Sequence, residues 1–136
     1  MSTAFLFPGQ GSQFSGMGSD LFPQYPELVS ASDEILGYSI VELCESEDSS
    51  RLNSTNFTQP ALYVVSCLQA KALLDEGKNP SFCAGHSVGE FAALQSANSI
   101  SFNFSSILLR SFRPRNIVCN FSTAFSFAFL SRRASM

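Results

Sequence analysis

Ser87 is the centre of Gly85-His86-Ser87-Val88-Gly89, a Gly-x-Ser-x-Gly pattern. A serine so placed becomes a nucleophile when a strand turns sharply into a helix and presents the hydroxyl at the bend. Small residues two places on either side suit a strained turn that neighbouring backbone approaches closely. A helix opening at Ser87 would also aim unpaired N–H groups at an acyl group on the serine, where an oxyanion develops. The chemistry this pattern points to is attack by a serine hydroxyl, with donors in place for a developing oxyanion.

A second stretch, Gly9-Gln10-Gly11-Ser12-Gln13 with Gly16 and Gly18 beyond, is a glycine-rich loop. Phe14 stands where a dinucleotide fingerprint needs its third glycine, and no Lys-Ser/Thr pair follows, so the phosphate-cradling patterns are not met. A loop whose backbone comes close to a ligand or intermediate is the better account. The four cysteines (Cys44, Cys67, Cys83 and Cys119) form no C-x-x-C, and the chain has one histidine. No metal site is expected, and the thiols are expected to stay reduced in a cytoplasmic protein.

These residues need elements to hold them. Thr3–Phe7 is a short apolar run ended by Pro8 and Gly9, as expected of a strand buried on both faces. A helix is predicted over Glu27–Leu36, stopped by Gly37, and a shorter one over Ser39–Glu45. The polar stretch Glu45–Asn56 reads as a surface loop. Thr58-Gln59-Pro60 then opens a strong helix, with Pro60 in its first turn and Ala61, Val64, Val65, Leu68, Ala72 and Leu73 at helical spacing. That helix ends near Gly77. Ser81–Gly85 is predicted as a strand and Ser87–Ser96 as a helix of small residues. The order strand, glycine loop, helices, strand, elbow, helix is the beginning of an α/β domain with a parallel sheet.

Charge divides the chain. Residues 1–100 carry all 11 acidic residues against three basic ones, whereas 101–136 carry five arginines and no acid. The last 36 residues also hold seven of the 14 phenylalanines. Their uncharged run, 116–131, falls short of the roughly 20 apolar residues a bilayer span requires. The two arginine clusters sit on no recognisable nucleic-acid-binding scaffold. Neither a membrane nor a nucleic acid is an expected partner. Thr3–Phe7 is too short, and lacks the basic flank, for a secretory signal.

Phe7-Pro8-Gly9-Gln10-Gly11-Ser12-Gln13, Thr58-Gln59-Pro60-Ala61-Leu62 and Gly85-His86-Ser87-Val88-Gly89-Glu90 occur in this order. The combination resembles the malonyl-CoA:acyl carrier protein transacylases and the acyltransferase domains of polyketide synthases. The likeness runs over roughly residues 3–102 and corresponds to the N-terminal part of that family's α/β-hydrolase-like domain. It implies that Ser87 is the nucleophile, taking malonyl from coenzyme A as an ester and yielding it to the phosphopantetheine thiol of acyl carrier protein. It implies that the backbone N–H groups of Gln10 and Val88 form the oxyanion hole and so contact the substrate. No bound cofactor is implied; malonyl-CoA is the substrate and acyl carrier protein the partner, in fatty acid or polyketide synthesis. The family's catalytic histidine lies well beyond the elbow. His86, the sole histidine here, is read as structural, and Arg110 and Arg113 do not match the family's carboxylate-binding arginine.

The expected organisation is therefore 1–102 as the N-terminal part of a malonyl or acyl transferase domain and 103–136 as a divergent, irregular Phe/Ser/Arg-rich tail. A frameshifted or truncated gene would produce such a change of composition. Two other readings follow from the same residues: a non-catalytic remnant with at most a carrier-protein or partner binding role, and a serine hydrolase using the same elbow.

Overall fold

A computed structural model describes residues 2–103 and 130–131. The elements are β1 (Ala4–Phe7), α1 (Pro26–Leu36), α2 (Ile40–Glu45), α3 (Thr55–Asp75), β2 (Phe82–Gly85), α4 (Gly89–Ser96) and the two-residue β3 (Leu130–Ser131). β1 and β2 pair in parallel, Ala4 opposite Phe82 and Phe7 opposite Gly85. The helices α1 to α3 form the crossover that a parallel neighbour requires. β3 adds antiparallel on the other side of β2, with Leu130 opposite Cys83, and gives the sheet order β1-β2-β3. Of the expected tail beyond residue 103, only this strand falls among the described residues.

α3 organises the core. Pro60–Leu68 are buried without interruption, so the helix is surrounded on all sides at its middle rather than along one stripe. That explains why apolar residues such as Leu62 and Tyr63 lie outside the expected helical face yet are buried. α3 begins at Thr55, earlier than the sequence suggests, which puts Pro60 inside the helix and not in its first turn. The early start is held locally. Thr58, fully buried, donates its hydroxyl to the Leu52 carbonyl at 2.6 Å, and its amide bonds the Ser54 carbonyl at 2.9 Å. These bonds fix the first turn before Pro60, whose ring nitrogen cannot supply a bond to Asn56. Leu52 is itself buried, so the polar stretch 45–56 is anchored in the core and is not simply a surface loop.

α1 and α2 follow the sequence closely. Gly37 takes a left-handed conformation at the end of α1, and Ser39 caps α2 by accepting from the Glu42 amide at 3.3 Å. In β1, Phe5 and Phe7 are buried, whereas Leu6 between them is 76% exposed. Alternating side chains place Leu6 on the opposite face of the strand. The expectation of burial on both faces thus holds for one face only among the described residues.

Cys44, Cys67 and Cys83 are buried, while Cys119 lies outside the described residues. Burial pushes the Cys44 thiol up to about 12, with the Glu45 charge adding to the effect. Burial likewise pushes Cys67 up to about 12, against a smaller opposing hydrogen bond from Tyr63. Thiolates are the reactive form. Iodoacetamide at roughly pH 8 is therefore expected to spare Cys44 and Cys67 in the folded chain and to alkylate both in urea, as peptide mapping would read out. Alkylation at equal rates with and without urea would contradict this burial. No cluster of metal-ligating side chains occurs among the described residues, and none of their helices is long and apolar enough to cross a membrane.

Candidate active site

The site forms where β1, β2 and α4 meet. Opposite the end of β2, the Phe7 carbonyl accepts from the His86 amide at 3.0 Å, extending the ladder by one residue. The chain then reverses. Ser87 has φ +54°, the left-handed region that side chains other than glycine enter at a cost. Two bonds bracket the bend: Gly89 N–H to the His86 carbonyl and Glu90 N–H to the Ser87 carbonyl, each 3.0 Å.

The turn is tighter than a strand running straight into a helix. Val88 is the N-cap of α4, with φ −57° and ψ −26°, and regular helix begins at Gly89. The expected helix start at Ser87 is thus corrected by two residues, because the left-handed φ at Ser87 cannot belong to a right-handed helix. Ser87 is exposed, as is His86, while the Val88 side chain is buried.

Close approach explains the flanking glycines. A Cβ on Gly85 would overlap the Gly89 carbonyl and the Glu90 amide, and one on Gly89 would overlap the Phe7 carbonyl. α4 can therefore lie directly on β1 and β2, and its small residues Ala92 and Ala93, both fully buried, maintain that approach.

The glycine loop completes the arrangement. A Cβ on Gly9 would come within 2.8 Å of His86 Nδ1 and 3.2 Å of Ser87 Cβ. The loop carrying Gln10 therefore passes beside the elbow, and Gly9 is the residue that makes contact with it. No backbone carbonyl among the described residues accepts from the amide N–H of Gln10 or of Val88. The Gln10 side chain points elsewhere, donating to Thr55 Oγ1 at 3.1 Å.

Comparison with known proteins assigns the chain to a family. The profile described as acyl transferase domain matches residues 4–119. The chain belongs to the acyl transferase domain family. Within it, the chain is 52% identical over 107 residues to the polyketide biosynthesis malonyl CoA-acyl carrier protein transacylase PksC of Bacillus subtilis (strain 168), covering 78% of this chain and 37% of that protein. Among solved structures, the malonyl CoA-acyl carrier protein transacylase of Burkholderia pseudomallei superposes with a TM-score of 0.77 at 47% identity, covering 81% of this chain and 38% of the other. Another is a malonyl-transacylase in complex with a type II polyketide synthase acyl-carrier protein, with a TM-score of 0.74 and 36% identity, 82% of this chain and 37% of that one. The chain thus spans less than two fifths of these acyl transferases. The fold expected from the sequence, an α/β domain with a parallel sheet, is the one observed, and it superposes on these solved structures over 81–82% of the chain.

Two features of the site had no signal in the sequence. One is the packing of Gly9 on the elbow, since nothing in the spacing of Gly9 and His86 says that they meet. The other is a set of side-chain bonds tying the glycine loop to the start of α3. Arg110 and Arg113 lie outside the described residues.

Proposed function

We propose that this chain carries the nucleophile-bearing part of a malonyl-CoA:acyl carrier protein transacylase, with Ser87 as the acylated residue. The observation that carries the reading is the left-handed φ at Ser87 on a turn closed by Gly85 and Gly89 and flanked by Gly9. Membership of the acyl transferase domain family supports it, as do relatives named for this reaction. Residues 1–102 are read as the N-terminal part of the domain and 103–136 as a divergent tail, in a cytoplasmic protein serving fatty acid or polyketide synthesis.

In the proposed cycle Ser87 Oγ attacks the thioester carbonyl of malonyl-CoA. The carbonyl oxygen becomes an oxyanion that accepts from the Gln10 and Val88 amides, each such donor being worth roughly 3 kcal/mol in the transition state. Collapse breaks the C–S bond, releases coenzyme A and leaves a malonyl ester on Ser87. The phosphopantetheine thiol of acyl carrier protein then attacks that ester, and the C–O bond breaks to regenerate Ser87. Each half-reaction moves a proton, from Ser87 Oγ and then from the thiol. The sole histidine of these 136 residues is His86, read as structural in the turn, and the proton that leaves Ser87 Oγ is balanced by the one that the departing coenzyme A thiolate takes up.

The test is to incubate the 136-residue chain with malonyl-CoA and map the adduct by peptide mass spectrometry. A malonyl ester is expected on Ser87 in the wild type and none in Ser87→Ala. Return of that ester to a carrier-protein thiol, rather than to water, separates transfer from hydrolysis by the same elbow. Equal background in wild type and variant would favour a non-catalytic role in partner binding, the reading that the lone histidine supports.

A further inference from the structure

The Gln10 amide can serve an oxyanion only if the peptide unit carrying it is held in one orientation, and the glycine loop contains no helix or strand to do so. The loop is tied by side chains instead. The Gly9 carbonyl accepts from Ser12 Oγ at 2.8 Å and from the Ser12 amide at 3.3 Å. A trans peptide is planar, with its C=O and N–H pointing in opposite directions. Fixing the Gly9 carbonyl toward Ser12 therefore turns the N–H of the same unit, which is that of Gln10, away from Ser12.

The next peptide is held as well. Gly11 N–H donates to Gln13 Oε1 at 2.8 Å, and Gln13 Nε2 donates to Asn53 Oδ1 at 3.1 Å. Gln10 Nε2 donates to Thr55 Oγ1, the first residue of α3. Two glutamines of the loop thus reach across 40 and 45 residues of sequence to one turn. Both partners stand at the exposed start of α3, a helix whose middle is buried without interruption from Pro60 to Leu68, so the loop is referenced to that helix.

We propose that Ser12 and Thr55 are positioning residues that fix the Gly9–Gln10 peptide beside Ser87, with the Gln10 N–H turned away from Ser12. Neither touches the reacting atoms; both act through the Gln10 backbone. The inference rests on the reading of Gln10 as an oxyanion donor and adds the side chains that hold it there.

Two readouts on the full chain test it. The first is ¹⁵N relaxation of the Gln10 amide in wild type, Ser12→Ala, Thr55→Val and the conservative Thr55→Ser. Ser12→Ala and Thr55→Val are expected to lower the Gln10 order parameter, and Thr55→Ser to leave it at the wild-type value. An unchanged order parameter in both Ser12→Ala and Thr55→Val overturns the proposal whatever Ser87 does. The second readout is the rate of ester formation on Ser87 from malonyl-CoA. The two disruptive variants are expected to slow the maximal rate about three- to tenfold, the scale of one net hydrogen bond. KM should be unchanged, and Thr55→Ser should restore the rate. A change confined to KM, or no recovery in Thr55→Ser, counts against positioning. If no variant and not even the wild type forms the ester while the order parameters follow the expected pattern, the oxyanion reading fails and the positioning of Gln10 stands.

Discussion

Gly89→Ala is expected to lower stability by about 3 kcal/mol or more, a large effect for one methyl group. The added Cβ would overlap the Phe7 carbonyl and approach the Pro8 carbonyl to 2.7 Å. Both are backbone atoms of β1 and its exit, so no side-chain rotamer can relieve the clash. Relief requires α4 to move off the sheet. That separates Ala92 and Ala93 from their contacts and breaks the Gly89 N–H bond to His86 that closes the elbow. Urea denaturation followed by circular dichroism reads the effect, and with a slope of roughly 1–3 kcal/mol/M the midpoint should fall by about 1 M or more. An unchanged midpoint would falsify the close packing of α4 on β1.

Ser87→Gly should do the reverse to stability while removing the proposed chemistry. A non-glycine residue in the left-handed region costs roughly 1–2 kcal/mol. Glycine removes that strain but gives back about 0.5–1 kcal/mol through the greater freedom of its unfolded chain. The net expectation is a gain of about 0.5–1 kcal/mol, together with complete loss of the malonyl ester. In serine enzymes, loss of the nucleophile alone costs about 10⁶-fold in kcat. Ser87→Ala separates the two effects: it keeps the side-chain strain and loses only the hydroxyl, so its midpoint should stay near the wild type. If Ser87→Gly is less stable than Ser87→Ala, the left-handed turn is not strained as described.

The sequence was most informative where local rules decide the outcome. Gly37 ends α1, Ser39 caps α2, and the small residues around Ser87 sit where a tight elbow needs them, because caps and close approaches depend on a few adjacent residues. It was less informative where distant packing intervenes. Pro60 suggests a first turn, yet the Thr58 bonds to Leu52 and Ser54 set the start of α3 further upstream. The apolar run of β1 suggests two buried faces, but a run of apolar residues does not report which neighbours cover it. The elbow was legible as a motif, whereas the contact between Gly9 and His86 was not, since it depends on the parallel register that sets Phe7 opposite Gly85.

That register also has a kinetic consequence. Partners in the β1–β2 pair lie about 80 residues apart in the chain, so pairing them closes a long loop whose entropy must be met before any contact rewards it. The turns of α3 require only near neighbours and can form first. The anchoring of the Ser87 turn depends on the later event, since the bond from His86 to Phe7 exists only once the two strands have met. The local bonds from Gly89 and Glu90 can shape the bend earlier, but the bond that ties it to β1 forms only when the strands pair. The complete geometry of the turn at Ser87 arrives with assembly of the sheet, not with translation of the motif.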